Sequence, residues 1–267
     1  MKRLEAVIFD WAGTTVDHGS LAPVRAVTEL FHRHGIPLTD ADARKDMGIF
    51  KRDHIRNILA TPHVSQQWQQ LTGHVPAERD VNDLFAGFHQ LQMDILQDYA
   101  KVIHGVPALA DKLRRRGLRL GSTTGYTRPM LDVLVQRAAD QGYRSDEALC
   151  PDDVVGGRPY PWMCLQLAIR FRLSATSAAV KIGDTISDIE EALNAGMWAV
   201  GVAATGNEIG LSEKDLAALP EEERRTRIEA ARSRLMAAGA HYVVDSAPGC
   251  EPVLDQIDSR LKAGDRP

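Results

Sequence analysis

Residues 5–17 of the chain read EAVIFDWAGTTVD. The first five are rich in strand formers, and the run stops at Asp10, which is followed by the turn-forming residues Ala12 to Thr15. This pattern predicts a buried β-strand that ends in a loop with an acidic side chain. A single aspartate in such a place is more often a turn residue or a helix cap than a functional group.

The rest of the chain shows two patterns. From about residue 22 to residue 100 the apolar residues recur with helical spacing, as in Val81, Leu84 and Phe88, and no convincing strand interrupts them. Beyond residue 106, predicted strands and helices alternate, which is typical of a parallel sheet with helices on both faces. The predicted fold class is α/β, with a Rossmann-like parallel sheet core and an all-helical cap inserted after the first strand.

The position of the predicted insertion bears on function. We expect residues 1–20 and 101–267 to form the catalytic core domain and residues 21–100 to form the cap domain. In open parallel sheets, ligands bind beyond the carboxyl ends of the strands. An insertion that leaves the end of the first strand is therefore expected to lie over the site.

Composition excludes several classes of protein. The 267 residues are 44% hydrophobic and 25% charged, as in ordinary globular domains. With 32 basic and 36 acidic residues the net charge is -4, so we expect neither nucleic acid nor an anionic membrane as a partner. We expect a cytoplasmic protein, since no secretory signal or membrane span is evident and Cys150, Cys164 and Cys250 form no disulfide framework.

A second acidic cluster follows another predicted strand. In the stretch GDTISD at residues 183–188, Asp184 and Asp188 are four residues apart and can face one side of a turn that opens a helix. Together with Asp10 they form the oxygen-rich set that Mg2+ prefers. The structural alternatives are a helix cap for Asp184 and stabilisation of a helix N-terminus for Asp188.

Two further loops could bind phosphate. The stretch GSTTGYT at residues 121–127 offers hydroxyl and backbone N–H groups before a predicted helix. Arg158 lies in a proline-rich loop and could clamp phosphate oxygens. Taken alone, the stretch at residues 121–127 would be an ordinary turn with a helix cap, and Arg158 would be a surface arginine.

The order and spacing of these motifs resemble the haloacid dehalogenase superfamily over essentially the whole chain. The resemblance implies that Asp10 attacks phosphorus to form an aspartyl phosphate. It also implies Mg2+ as cofactor, with Asp10, Asp184 and the Ala12 carbonyl as direct ligands and Asp188 as a ligand that binds either directly or through water. Superfamily phosphatases carry a second acid two residues after the first, whereas this chain has Ala12 there.

The missing acid favours a particular chemistry, because no acid is needed for an oxygen leaving group when the bond to be broken joins phosphorus to carbon. The stretch DWAGTT, together with MGIFK at residues 47–51 and GRPYPWM at residues 157–163, resembles the phosphonatase family. This resemblance implies hydrolysis of the carbon–phosphorus bond of phosphonoacetaldehyde, a small phosphonate. It assigns Lys51 as the amine that forms a Schiff base, and it implies a homodimer through the cap.

The remaining site predictions concern substrate binding. The candidate substrate-binding residues are Thr124, Gly125, Tyr126, Arg158, His54 and Met47. His54 could move protons or make an ordinary polar contact, and Met47 and Tyr126 could line the pocket or simply pack. Lys51 itself could belong to an exposed helical turn, although Gly48 breaks the helical pattern just before it.

Two other functions remain open at this point. One is a Mg2+-dependent phosphomonoester phosphatase or phosphomutase of the same superfamily, against which Ala12 argues. The other is a non-enzymatic aspartyl phosphoacceptor similar to a receiver domain, which would need neither the helical insertion nor an iminium-forming lysine.

Overall fold

The computed structural model describes residues 3–267, which contain a six-stranded sheet and twelve α-helices. The strands are β1 (Ala6–Phe9), β2 (Arg119–Thr123), β3 (Glu147–Leu149), β4 (Ala179–Gly183), β5 (Trp198–Val202) and β6 (Tyr242–Val244). The helices are α1 (Leu21–Arg33), α2 (Asp40–Arg44), α3 (Lys51–Ala60), α4 (Pro62–Thr72), α5 (Glu78–Tyr99), α6 (Val106–Arg115), α7 (Arg128–Asp140), α8 (Trp162–Phe171), α9 (Ile186–Asn194), α10 (Glu213–Ala218), α11 (Glu221–Ala237) and α12 (Glu251–Ala263).

The sheet is parallel throughout, with strand order β3-β2-β1-β4-β5-β6. β1 lies at its centre, where Val7 is in register with Leu120 of β2 and with Val180 of β4. The carboxyl ends of these three neighbouring strands therefore meet at one edge of the sheet. The predicted α/β fold class is confirmed.

Helices cover both faces of the sheet because the side chains of its strands alternate between two apolar layers. Val7 and Phe9 pack on one face with α6, α7 and α12, whereas Ala6 and Ile8 pack on the other face with α8. β1 is buried along its whole length, which is the reason that its sequence is an uninterrupted apolar run.

Every regular element between residues 21 and 100 is a helix, and we call α1 to α5 the helical segment. Its long helix α5 packs against α1 and α3. Leu30, Ile55 and Phe88 are among the buried side chains that join these helices. The periodicity of apolar residues predicted this helical character.

The chain enters and leaves the helical segment at one place. Val16 and Val102 form an antiparallel bridge. The N–H of Asp17 donates to the carbonyl of Lys101 at 3.1 Å, and the N–H of Ile103 donates to the carbonyl of Thr15 at 2.9 Å. The two connections are thus hydrogen-bonded to each other beside the end of β1.

Two elements differ from the sequence prediction. The edge strand β3 was not predicted, because three residues that begin with a half-buried glutamate carry no readable period. The short helix α10 was not predicted either. None of the helices in the described part of the chain is long and apolar enough to cross a membrane.

Candidate active site

Three buried carboxylates meet at the carboxyl edge of the sheet. Asp10 follows β1, Asp184 follows β4, and Asp188 lies in the first turn of α9. Their oxygens lie within 4.8 Å of one another, and none of the three side chains is more than slightly exposed. The sheet therefore assembles the acidic cluster that the sequence predicted from two separate motifs.

The loop after β1 is shaped around Asp184. Gly13 has a φ of 82°, and a Cβ atom at this position would overlap the Asp184 carboxylate. The Thr14 hydroxyl donates to Asp184 Oδ1 at 3.2 Å, and the backbone N–H of Asn207 donates to Oδ2 at 2.7 Å. Asp184 is thus held by loops that follow β1 and β5.

Asp188 both caps its helix and belongs to the acidic cluster. Its carboxylate accepts hydrogen bonds from the Thr185 hydroxyl at 2.6 Å and from the Thr185 N–H at 3.2 Å, which completes a capping box. Asp188 Oδ1 also lies 2.7 Å from Lys181 Nζ and 2.9 Å from Arg158 Nη1. Asp188 therefore stabilises the N-terminus of α9, as the sequence allowed, and also belongs to the acidic cluster.

Arg158 connects the cluster to the loop after β2. Its guanidinium lies 2.8 Å from Asp10, 2.9 Å from Asp188 and 2.9 Å from Glu191, and it donates to the Thr123 carbonyl at 2.7 Å. The side chain is fully enclosed. The alternative that Arg158 is an ordinary surface arginine is therefore wrong.

The ionisation of the cluster is uneven. Burial, followed by the repulsion of neighbouring aspartates, raises the pKa of Asp10 and of Asp184. Burial also tends to raise the pKa of Asp188, but Arg158 and Lys181 outweigh it and hold that pKa below its ordinary value. Asp10 and Asp184 are therefore the two carboxylates whose ionised form the surroundings disfavour.

This arrangement fits a divalent cation. Oxygen donors from carboxylates are the ligands of Mg2+, and a cation beside Asp10 and Asp184 would offset both the burial and the aspartate repulsion that raise their pKa values. Asp188 fits less well as a direct ligand, since its oxygens already accept from a lysine, an arginine and a threonine.

Lys51 approaches the cluster from the helical segment. It is the first residue of α3 and is only 2% exposed. Its Nζ lies 3.1 Å from the sulfur of Met47 and 5.9 Å from the ring centroid of Tyr126. Burial lowers the pKa of the Lys51 amine from 10.5 to about 8, against the opposing attraction of Asp10.

The loop before α3 fits tightly on the core. The Ser187 hydroxyl donates to the Met47 carbonyl at 3.0 Å, and a Cβ at Gly48 would overlap the side chains of Thr185 and Ser187. On the other side, a Cβ at Gly125 would come within 2.5 Å of the Ile49 carbonyl oxygen. Two glycines thus allow the backbones of the helical segment and the core to touch.

A small cavity of about 20 Å³ lies between Lys51 and the aspartates. The predicted site residues that line it are Asp10, Ala12, Met47, Lys51, Thr124, Gly125, Tyr126, Arg158 and Asp184. Two predicted site residues, Asp188 and His54, do not line the cavity. Asp188 lies behind Arg158, and His54 lies one turn beyond Lys51 on α3.

His54 is fully buried and neutral at physiological pH. Burial and the nearby Lys51 cation lower its pKa to about 3, although backbone groups of Ala43 and Lys45 act in the opposite direction. Within residues 3–267 neither of its ring nitrogens makes a well-formed hydrogen bond. The satisfied polar contact that the sequence allowed for His54 is not observed.

Two functional candidates were missed by sequence reasoning. Lys181 lies inside β4, fully buried, with its Nζ 2.7 Å from Asp188 and 3.7 Å from Glu191. Glu191 lies on α9, one turn after Asp188, and also accepts from the Thr123 hydroxyl at 3.0 Å. A lysine in the middle of an apolar strand was a usable signal, because a buried cation needs a carboxylate partner.

Comparison with known proteins agrees with this fold. A family model described as haloacid dehalogenase-like hydrolase matches residues 4–196. The chain is therefore an enzyme of the haloacid dehalogenase-like hydrolases.

The similarity extends to one family within that group. Curated proteins named phosphonoacetaldehyde hydrolase from Bacillus cereus (strain AH820) and from Bacillus anthracis are 43% identical to this chain over 258 residues, 97% of this chain and 98% of each relative. The crystal structure of a phosphonoacetaldehyde hydrolase-like protein from Oleispira antarctica matches with a TM-score of 0.97 and 40% identity, covering 99% of this chain and 96% of that one. The chain belongs to the phosphonoacetaldehyde hydrolase family, as the motifs of its sequence predicted.

Proposed function

We propose that the protein hydrolyses the carbon–phosphorus bond of phosphonoacetaldehyde to acetaldehyde and phosphate. The curated relatives carry this activity in their name. The observation that carries the proposal is the buried amine of Lys51, which lines one cavity with Asp10 and Arg158. An unprotonated amine in that place can condense with an aldehyde, a step that the hydrolysis of a phosphate ester does not require.

The reaction begins at Lys51. Its amine condenses with the aldehyde and releases one water, which leaves a protonated imine two bonds from phosphorus. The lowered pKa, about 8, supports this step because it makes the unprotonated amine accessible near neutral pH. The Met47 sulfur at 3.1 Å is a weak acceptor and stabilises the ammonium form less than a carboxylate would.

Asp10 then takes the phosphoryl group. Its carboxylate attacks phosphorus, the carbon–phosphorus bond breaks, and the electron pair of that bond moves into the iminium to form an enamine on Lys51. The enamine takes up a proton at carbon, and water releases acetaldehyde and restores the amine. A second water hydrolyses the aspartyl phosphate, so the complete cycle consumes one water.

Substrate binding follows from the charges around the cavity. Arg158 offers a cation to the phosphonate oxygens, and the backbone of Thr124 and Gly125 lies at the end of β2 where N–H groups can bind them. Met47 and Tyr126 enclose the two-carbon unit next to Lys51. His54, which the sequence assigned to substrate binding, does not line this cavity.

Mg2+ is the cofactor that this proposal includes. Asp10, Asp184 and the carbonyl of Ala12 would hold it, with Asp188 acting through water. When bound, Mg2+ supplies positive charge that offsets the repulsion between the Asp10 carboxylate and the phosphonate dianion.

The alternative is a phosphomonoester phosphatase or phosphomutase of the same superfamily. That chemistry requires an acid to protonate the departing alkoxide, and the position two residues after Asp10 is Ala12, whose methyl group cannot do so. Membership of an enzyme family leaves the non-enzymatic phosphoacceptor without support.

We further propose that residues 21–100 act as a cap on the core formed by residues 1–20 and 101–267. A cavity of about 20 Å³ has room for about one water, so the cap must separate from the core to admit substrate. A homodimer through the cap remains a proposal drawn from the resemblance. Sedimentation would test it through a particle mass twice 29.4 kDa.

The imine can be trapped directly. Phosphonoacetaldehyde and borohydride are added to the protein, and peptide mass spectrometry locates the reduced adduct, which we expect on Lys51. Lys51→Arg keeps a cation but should lose both adduct and turnover, whereas Lys45→Arg changes an exposed lysine in the same segment and should lose neither. Near-normal carbon–phosphorus cleavage by Lys51→Arg would contradict the mechanism, and ester hydrolysis without any adduct would favour the phosphatase.

A further inference from the structure

Arg44 is the last residue of α2, yet its guanidinium lies among the oxygens of two core loops. Nη1 donates to the Gly19 carbonyl at 3.0 Å and to the Asn207 side-chain oxygen at 3.1 Å, and Nη2 donates to the Gly210 carbonyl at 3.1 Å. Longer contacts at 3.4 Å reach the carbonyls of Ser20 and Asn207. One side chain of the helical segment therefore joins the loop after β1 to the loop after β5.

The core loops are shaped to receive this group. Gly210 has a φ of 67°, and a Cβ there would lie 2.5 Å from Arg44 Nε and 2.6 Å from Cζ. The acceptors are all neutral oxygens, which a planar fork of five N–H donors can bind from several directions at once. A lysine has a single compact head and could bind only part of this set.

Arg44 acts on Lys51 through the short stretch between them. The Met47 N–H donates to the Arg44 carbonyl at 3.2 Å, and the Met47 carbonyl accepts from Ser187 at 3.0 Å. The Met47 sulfur in turn contacts Lys51 Nζ at 3.1 Å. The turn formed by residues 45–50 is thus attached to the core at Arg44 and at Met47, and it leads directly to Lys51.

Arg44 also acts on the aspartate cluster. Asn207, which it binds through the side-chain oxygen, donates its backbone N–H to Asp184 Oδ2 at 2.7 Å. Arg44 itself does not line the cavity that holds Lys51 and Asp10. Any effect it has on the reaction is therefore transmitted by the residues that it holds.

We propose that Arg44 is a positioning residue, which holds the turn at residues 45–50 against the core and so places Lys51 over Asp10. Its kinetic consequence rests on the function proposed above. Its structural consequence, the enclosure of Lys51, does not depend on any substrate.

The first test measures that enclosure. The protein, without substrate, is treated with an amine-acylating reagent, and the rate of labelling at Lys51 is followed by peptide mass spectrometry. In Arg44→Ala we expect labelling about tenfold faster or more, because a lost hydrogen bond to a charged group shifts an opening equilibrium by that factor. Arg79→Ala, which removes an exposed arginine of α5 outside the turn at residues 45–50, should leave the Lys51 rate unchanged. An unchanged rate in Arg44→Ala overturns the proposal.

The second test measures turnover. We expect Arg44→Ala to lower kcat/KM for phosphonoacetaldehyde by about 100-fold, the size of effect that a small misplacement of a reacting group causes. Millimolar guanidinium should restore part of this loss without changing the Tm, which a variant that is only less stable would not show. The absence of any rescue in a folded variant counts against a positioning role.

Arg44→Lys covers the case in which the alanine variant does not fold. It keeps the charge and part of the donor set, so labelling of Lys51 should be intermediate, and a wild-type rate would overturn the proposal. If the wild-type protein fails to cleave phosphonoacetaldehyde, the proposed function falls while the labelling experiment still decides the role of Arg44.

Discussion

Lys51 and Lys181 are both buried, but they have opposite surroundings. Lys181 lies in the sheet with its Nζ 2.7 Å from Asp188 and 3.7 Å from Glu191. Lys51 comes from the helical segment, and the polar atom that its Nζ meets is the Met47 sulfur. Among residues 3–267, one lysine is paired with carboxylates, whereas the other is enclosed without a carboxylate partner.

The difference separates two uses of a buried amine. Carboxylate partners hold a buried ammonium group in place, which suits the support of Asp188 and Glu191. Burial without a partner makes the charged form costly, and the pKa of Lys51 is accordingly lowered to about 8. A nucleophilic amine requires the second environment, because only the unprotonated form attacks a carbonyl carbon.

The largest effect is expected from Asp10→Asn. Turnover should fall on the order of 10⁴ to 10⁶-fold, as when a nucleophile is removed from other hydrolases. Imine formation should persist, because loss of the Asp10 charge removes an attraction that favours the ammonium form of Lys51. Phosphate release and borohydride trapping are measured on the same sample, and loss of the adduct would show that the two regions are not independent.

Next in size is the loss of stability in Lys181→Met. Removing this lysine leaves Asp188 and Glu191 with one buried cation fewer, and we expect a cost of about 3 to 5 kcal/mol in the free energy of unfolding. Urea denaturation measures it. The control is Lys112→Met, which breaks an exposed pair with Glu251 and should cost less than about 1 kcal/mol. Equal losses of stability would refute the contrast between a buried and an exposed ion pair.

Lys51→Met, in contrast, should increase the free energy of unfolding. The pKa of Lys51 falls from 10.5 to about 8 on folding, so below pH 8 the folded protein bears the full cost of a buried ammonium, up to about 3 kcal/mol. From pH 8 to 10.5 the folded protein loses the proton before the unfolded chain does, and the cost declines. The variant should therefore exceed the wild type in stability at pH 7 and match it near pH 10.5. Urea denaturation of both proteins at pH 7 and pH 10.5 measures this difference in the free energy of unfolding. A difference that does not change with pH would exclude a lowered pKa of Lys51.

The smallest effect is expected from Ala12→Asp. The new carboxylate would lie in the cavity that Lys51 also lines, where it would favour the ammonium form and offer no proton that a carbon leaving group needs. Carbon–phosphorus cleavage should be unchanged or modestly slower in a steady-state assay. Faster carbon–phosphorus cleavage by this variant would contradict the interpretation that the site suits the reaction because it lacks an acid at position 12.

The sheet could be predicted in most of its parts because its central strands are apolar runs that end at polar residues. Asp10 and Asp184 mark two such ends, and parallel topology brings them together. The edge strand β3 has only three residues, of which Glu147 is half-buried, so packing against β2 decides its structure. Local sequence carries little information about such an element.

The enclosure of Lys51 could not be predicted from local sequence. Its helix begins with Lys-Arg-Asp-His, which by composition is an exposed turn. The burial arises from contacts with distant residues, including Ser187 on the Met47 carbonyl and the fit of Gly48 on Thr185. The pairing of Arg158 with Glu191 also depends on tertiary contact, since the two residues belong to different motifs.

The hydrogen bonds between residues 15–17 and 101–103 have a consequence for the history of such proteins. A chain that leaves and returns at one point can lengthen, shorten or exchange the part in between without disturbing the register of the sheet. In the proposed mechanism the nucleophile follows a strand of the sheet, whereas the amine that forms the imine lies in the part of the chain between these two connections. New bond-breaking chemistry can therefore be acquired by replacing one contiguous piece of the gene.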